Sequence, residues 1–303
     1  MKTSPLGRIR AVTLTCPNLK VAVAAYELAL GYRTLEAGRV EAPLAVAWGA
    51  PGVTGAAYAV LGPLSGEATF IRFVEVPGSQ PYAPYSAYGW NAMELTVQDC
   101  DAAVAQLAVG PFTVVGPPED LAFADGALRA GQVVGPHGEI IYLTQVRRQL
   151  PGFALPVAQS FVDRVFIMVL HGPAAQPGLE HYRAAFGNEA SATFDVTVPF
   201  MAHYQGLPAQ HPYRIGTLVL ANGFYLEMDN SPAHIGPRAA PAGGLPPGIA
   251  MVTFETDATA DKHAIWGVPP AASIVYGGRA ARRVCGAFGE WIELLSAPAG
   301  GVR

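Results

Sequence analysis

"VVGPHGEIIYLTQV" at 133–146 and "VCGAFGEWIELLSAP" at 284–298 decide how this chain is read. Each ends one strand, passes through a Gly-x-x-Gly-Glu turn and begins another strand, with Gly138 opposite Gly289 at an offset of 151. Internal repetition outranks local pattern, because it changes the whole fold. Working outward, "IRAVTLTC" followed by "VAVAAYELALGY" is answered by "VDRVFIMVL" followed by "GLEHYRAAFG", setting Tyr26 against Tyr182 and Gly31 against Gly187, both at an offset of 156. "ATFIRFVEV" at 68–76 is answered by "GFYLEMDN" at 223–230, which sets Arg72 against Glu227. "WNAMELTVQDCDAAVAQL" is answered by "GIAMVTFETDATADKHAI", each a strand leading through Asp and small residues into a helix. Four strand-helix-strand-strand-strand units result, two per half.

A chain of 303 residues exceeds the usual single-domain size. The expected division is an N-terminal domain over 1–146, a linker over 147–160 in "RRQLPGFALPVAQS", and a C-terminal domain over 161–303. Charged residues are only 14% and apolar ones 51%, which points to large buried or interfacial surfaces and is consistent with a homodimer. A net charge of -4 gives no basic field, so nucleic acid is not an expected partner. No uncharged apolar stretch of about 20 residues runs free of Gly and Pro, and the start has no long apolar leader segment. The reading is a cytoplasmic protein with no membrane partner. Cys16, Cys100 and Cys285 form no CxxC pattern and read as small buried hydrophobes. Neither phosphate-binding glycine motifs nor a nucleophile elbow occurs in a strand-to-helix setting.

Two Pro/Gly-rich stretches, 76–90 and 230–248, have the position of connections between units. The first carries Tyr82, Tyr85, Tyr88 and Trp90; these either line a pocket mouth or cap the core, and Tyr88 and Trp90 are the candidates for touching a ligand.

With "VAAYELALGY", "ELTVQDCDAAVAQL" and "GPHGEIIYL" in order, and "HYRAAFGN", "TFETDATADKHAI" and "GAFGEWIEL" repeating them, the chain resembles the vicinal oxygen chelate superfamily of glyoxalases, bleomycin-resistance proteins and extradiol dioxygenases. The resemblance covers almost the whole chain. It implies an α+β fold of two tandem domains, each of paired βαβββ modules forming a cupped mixed sheet. In metal-dependent members, inward positions on four strands supply His or Glu ligands to a divalent ion.

Carried onto this chain, those positions fall on Ala11, Arg72, Ala92 (or Asn91) and Tyr142 in the first half, and on Arg164, Glu227, Met251 and Glu293 in the second. No ligand set survives in the first half. In the second, a permanently charged guanidinium stands where an imidazole belongs. No metal and no other cofactor is therefore expected. His137 reads as a turn residue, His181 as helical, and His171, His203, His211 and His234 as lying in or near loops.

An inward charge must be paired or serve a ligand, because an isolated buried charge costs several kcal/mol or more. Arg72 beside Tyr142 would hold a carboxylate or enolate oxygen of a substrate, or else reach solvent or pair with Glu94 or Glu75. Glu227 and Glu293 near Arg164 would form a proton-transfer site, or a structural ion network of the same composition. The leading expectation is a metal-independent protein that binds a small organic molecule, aromatic or carboxylate-bearing, and acts as a lyase or isomerase. The alternatives are a binding or sequestration protein of the bleomycin-resistance kind and a metal-dependent glyoxalase or dioxygenase with a degenerate ligand set.

Overall fold

The computed structural model describes residues 5–191, 193–231, 235–257 and 273–297. The helix expected toward the end of "GIAMVTFETDATADKHAI", 248–265, falls on residues that, like His234, lie outside the described ones.

The first unit runs β1 (Leu6–Cys16), α1 (Leu19–Leu30), β2 (Arg33–Arg39), α2 (Ala42–Ala47), β3 (Ala57–Gly62) and β4 (Phe70–Glu75). The second is β5 (Gly89–Val97), α3 (Cys100–Ala108), β6 (Thr113–Asp120), β7 (Leu128–Val134) and β8 (Ile140–Val146). The third is β9 (Val162–Gly172), α4 (Ala175–Phe186), β10 (Phe194–Thr197), α5 (Pro199–Tyr204), β11 (Pro212–Val219) and β12 (Tyr225–Asn230). The fourth contributes β13 (Ile249–Thr256), β14 (Ala281–Cys285) and β15 (Trp291–Leu295).

Local chemistry sets these boundaries. Asn18 and Asp99 cap α1 and α3 by accepting from Val21 N and Ala102 N, and α1 and α4 end on Gly31 and Gly187 in the left-handed conformation. The repeated Gly-x-x-Gly-Glu turn has a definite internal logic. Gly138 and Gly289 hold φ of 84° and 86°, and a Cβ on Gly138 would collide with the Tyr82 carbonyl. One oxygen of Glu139 accepts from His137 N and the other from the Tyr26 phenol at 2.5 Å. The second copy repeats this, with Glu290 accepting from Phe288 N and from Tyr182 at 2.6 Å. Turn and helix of consecutive units are thus tied by a buried phenol in each half.

The strands form two curled mixed sheets whose orders are β14-β15-β13-β1-β4-β3-β2 and β10-β11-β12-β9-β5-β8-β7-β6. Within each unit the first and last strands pair in parallel, as β1 with β4 and β9 with β12. Between units, β1 pairs antiparallel with β13, and β5 with β9. The seven-stranded sheet therefore joins the first and fourth units, and the eight-stranded sheet joins the second and third. A central core lies between the sheets, with Tyr26, Phe73, Trp90, Met168, Tyr182 and Phe254 among its members. The opposite, concave faces carry separate clusters around Trp48 and Met251 in one sheet and around Tyr85, Val169 and Phe200 in the other. Among the described residues no helix is long and apolar enough to cross a membrane.

Candidate functional site

Because units pair across the halves, residues expected to meet are redistributed. Arg72 on β4 and Glu293 on β15 share the cup of the seven-stranded sheet, 3.1 Å apart and 2% and 1% exposed. Thr13 lies opposite Arg72 in register and its hydroxyl accepts from both Nε and Nη2 of the guanidinium, at 3.0 and 2.8 Å. Tyr276 accepts from Arg72 Nη1 at 2.6 Å and donates to Glu293 Oε1 at 3.0 Å. The Trp48 indole donates to the same oxygen at 2.7 Å, and Thr253 donates to Oε2 at 2.7 Å. Burial works against the Arg72 charge, but Tyr276 and Glu293 outweigh it and hold its pKa above the ordinary value. Every strong hydrogen-bonding group at this centre is committed, and the Trp48 ring caps the guanidinium at 4.5 Å. The expected contact between Arg72 and Tyr142 does not form, because the two side chains belong to different sheets.

Arg164 also departs from expectation. The centre of β9 falls at Ile167 and Val169, which pair with Tyr225 and Glu227; Arg164 precedes the first residue paired with β12 and sits at the rim. There its guanidinium reaches Glu67 at 3.4 Å and the Asn222 carbonyl at 2.8 Å, over the Phe224 ring. It meets neither Glu227 nor Glu293. Trp90 and Tyr88 belong to the central core, with the Trp90 indole donating to the Trp291 carbonyl at 2.8 Å, so neither borders a cup. Cys285 is exposed, against the expectation of burial.

The cup of the eight-stranded sheet is different in kind. Strand alternation puts Glu227 and Asp229 of β12 on one face. Register sets them opposite Val169 and His171 of β9, while Glu94 of β5 lies between Ile167 and Tyr142. Glu94, Gln132, Tyr142, Ile167 and Glu227 are half-buried, so solvent reaches this floor. From above, Phe200 of α5 packs edge-on to Tyr142 at 5.8 Å, and Tyr85 packs on His171 at 4.9 Å. Tyr85 holds φ of 57°, a left-handed conformation that costs a bulky residue about 1–3 kcal/mol and marks a backbone held by its surroundings. His171, expected in or near a loop, is instead fully buried on β9; its Nε2 contacts the Gln205 amide at 3.0 Å.

Among the described residues no cation pairs with these carboxyls. Burial pushes the Glu94 carboxyl up to about 7, although the Thr144 hydroxyl donates to it at 2.5 Å. Burial likewise pushes Asp229 up to about 7. Glu227 is raised well above its usual range, first by desolvation and then by the charges of Asp229 and Glu94. Burial, with Arg238 nearby, lowers His171 to about 3, so its ring is neutral. His171 Nδ1 and Asp229 Oδ1 are buried without hydrogen-bond partners among the described residues, and the Tyr85 and Tyr142 hydroxyls face one another. Buried polar atoms are nearly always satisfied, so orphans beside a solvent-touched floor of carboxyls make this cup the candidate site.

An open cleft of about 570 Å3 lies at the junction of the sheets; among its lining residues Arg8 is paired with Glu67, with its Nε left unpartnered among the described residues, and Arg279 is paired with Glu255.

The divalent metal that the resemblance implies does not fit either cup. In the first, a guanidinium occupies the centre and holds the sole carboxylate. In the second, Val169, Ala92 and Tyr142 stand at three of the inward positions, and although Glu94, Glu227, Asp229 and His171 share the floor, among the described residues no three His, Cys, Asp or Glu side chains converge as a metal requires.

Glu227 and Tyr142 were legible as inward residues, though assigned to different cups. Glu94, Asp229, Tyr85 and His171 were missed as site residues. A signal existed for Glu94: it lies two positions after Ala92 in the apolar strand "WNAMELTV", so it shares the inward face.

No family model matches the chain, and no curated protein matches it. Among solved structures, glyoxalase I from Zea mays superposes with a TM-score of 0.62 at 14% identity, covering 95% of this chain and 92% of that one. A putative dioxygenase from Bacillus subtilis superposes with a TM-score of 0.59 at 12% identity, covering 98% and 87%. These likenesses span both sheets and carry the fold alone: the chain has the vicinal oxygen chelate fold, in its tandem α+β form.

Proposed function

We propose that the eight-stranded cup binds a small organic molecule with a flat apolar body and moves protons on it, as a lyase or isomerase, without a metal. The observation that carries this reading is Glu227: a carboxyl raised well above its usual range, with no hydrogen bond or ion pair among the described residues, on a floor that solvent reaches. A general acid or base works best when its pKa lies near the operating pH, and burial beside other carboxyls is the ordinary way to bring it there. Glu227 is the proton-transferring residue. Asp229 and Glu94 raise its proton affinity, and Tyr142 and Tyr85 donate to a substrate oxygen or enclose the ring. Glu293, Arg164 and Arg72 take no part, being occupied with one another's units elsewhere. The lack of a facing cation weighs against a substrate carboxylate as the anchoring group.

The test is solvent exchange. Small aryl-substituted carbonyl compounds are incubated with the protein in D2O, with and without chelator, and deuterium entering carbon is followed by NMR. Exchange that persists in chelator and falls by about 10²-fold or more in Glu227→Gln supports the reading. Chelator-sensitive exchange rejects its metal-free part. Binding that survives without any exchange favours a sequestration protein.

A further inference from the structure

The two cups have corresponding positions of opposite charge. Where the seven-stranded cup has Arg72, the eight-stranded cup has Glu227. Arg72 neutralises Glu293 from within the protein; among the described residues no cation neutralises Glu227 and Asp229. The short helices differ in the same sense. After α2, Trp48 donates to the Glu293 carboxylate, whereas α5 offers Phe200, which has no donor. One cup is closed by its own cation and donors. The other presents the same kind of carboxylate without them.

The groups facing this floor come from every element around it. They are Glu227 and Asp229 of β12, Glu94 of β5, Tyr142 of β8, His171 of β9, Tyr213 of β11, and Tyr85 of the 76–88 connection. Among the described residues the cation that acts on this floor, Arg238, lies over the Tyr82 ring at 3.7 Å and donates to the carbonyls of Pro247 and Ile249; it contributes to His171 but not to Glu227 or Asp229. Among the described residues Asp229, 1% exposed, has Oδ1 unpartnered, and His171, fully buried, has Nδ1 unpartnered. Aromatic faces surround these acceptors, and such faces stabilise an adjacent cation.

We propose that the missing counter-charge comes from the ligand: the eight-stranded cup takes a small organic cation, an ammonium borne on an aryl or similarly flat body. Its ammonium is received by Glu227 and Asp229, and its ring lies among Tyr85, Tyr142 and Phe200. This rests on the reading of that cup as the binding site and names the class of molecule it takes. A carboxyl held protonated by burial and by its neighbours must give up its proton to accept a cation, so binding releases protons and tightens as pH rises.

A matched set tests the charge. Calorimetry at pH 8 compares 2-phenylethylamine, 2-phenylethanol and 3-phenylpropanoate, in buffers of different ionisation enthalpy, with the full chain and with Glu227→Gln and Asp229→Asn. The expected result is amine binding tighter than the alcohol by about tenfold or more, no carboxylate binding, and proton release that shrinks in either variant. Alcohol or carboxylate binding as tight as the amine, or no amine binding, overturns the charge assignment. If the alcohol matches the amine while Glu227→Gln still abolishes solvent exchange, only the charge assignment falls. If both variants leave all binding and exchange unchanged, the cup is not the site and both proposals fall.

Discussion

Arg72 and Glu293 stand 221 positions apart in sequence and 3.1 Å apart in the folded chain, and no single half of the protein contains the pair. Their contact is the chemical counterpart of β1 pairing with β13, so the first and last units are joined by a buried ion pair as well as by a strand ladder. Burying such a pair is close to neutral when its other bonds are satisfied, whereas removing one partner leaves the other charge stranded. Arg72→Met should therefore destabilise the fold by about 3–5 kcal/mol, and Arg72→Met combined with Glu293→Gln by clearly less. Denaturant unfolding of the two variants measures this. Equal losses would show that the pair matters only through packing.

The duplicated turns make a second expectation. Tyr26 and Tyr182 each donate a phenol to the turn glutamate of the following unit. Replacing either by Phe keeps the ring and strands a carboxyl oxygen, at a cost of about 1–3 kcal/mol each. Since the turns lie in different sheets and share no partner, the two losses should add in the double variant to within about 0.5 kcal/mol. A large non-additivity in thermal or denaturant unfolding would mean that the two sheets do not respond independently.

What the sequence disclosed, and what it hid, follows from the range of each signal. Turn chemistry and period-two alternation are local, so the Gly-x-x-Gly-Glu turns and the inward direction of Arg72, Glu227 and Glu293 could be read directly. Partner choice is not local. The first strand of each unit offers the same kind of apolar ladder to every other unit, and alternation fixes the face of a strand without naming its neighbour. For that reason Arg72 was matched with Tyr142 and Glu227 with Glu293, each in its own half. The displacement of Arg164 is an alignment effect: the offset of 156 that relates Tyr26 to Tyr182 carries Ala11 to Ile167, three residues beyond Arg164, and Ile167 and Val169 are where the centre of β9 falls. Tyr85 was visible only as a loop aromatic, because nothing in "PYAPYSAYGW" tells which of its rings turns over a cup.

Stability should fall with alkaline pH. Glu94, Glu139 and Asp229 are each raised to about 7 by burial, above the value of an unfolded carboxyl. A folded-state pKa raised in this way contributes stability that is fully present below the unfolded value and is lost as pH rises through the folded one. Between roughly pH 4.5 and 7 these groups all act in the same direction, while burial of His137 and His171, lowered to about 4 and about 3, opposes them up to the unfolded imidazole value near 6.5. Above about pH 6.5 only the carboxyls still act, so thermal unfolding should shift downward from pH 6.5 to pH 8. An upward shift over that window would show that the carboxyls are ionised and stabilised in the fold by partners.

The same reasoning sets Glu227 apart from an ordinary core residue. Its ionised form is opposed by desolvation and by Asp229 and Glu94, and no hydrogen bond among the described residues compensates. A neutral isostere removes that conflict, so Glu227→Gln should stabilise the protein by about 0.5–2 kcal/mol at pH 8, the usual gain when a residue kept for function is relieved of strain. The sign follows from linkage: the raised carboxyl is protonated near pH 5, where Gln has nothing to relieve, so the gain should fade as pH falls. Over the same range, solvent exchange at substrate carbon should drop by about 10²-fold or more. Unfolding curves at pH 5 and 8, read beside the exchange rate, separate the outcomes. A structural Glu227 would lose stability on substitution, and its loss would not depend on pH in this direction. A residue kept for proton transfer gains stability at alkaline pH while the protein loses its chemistry.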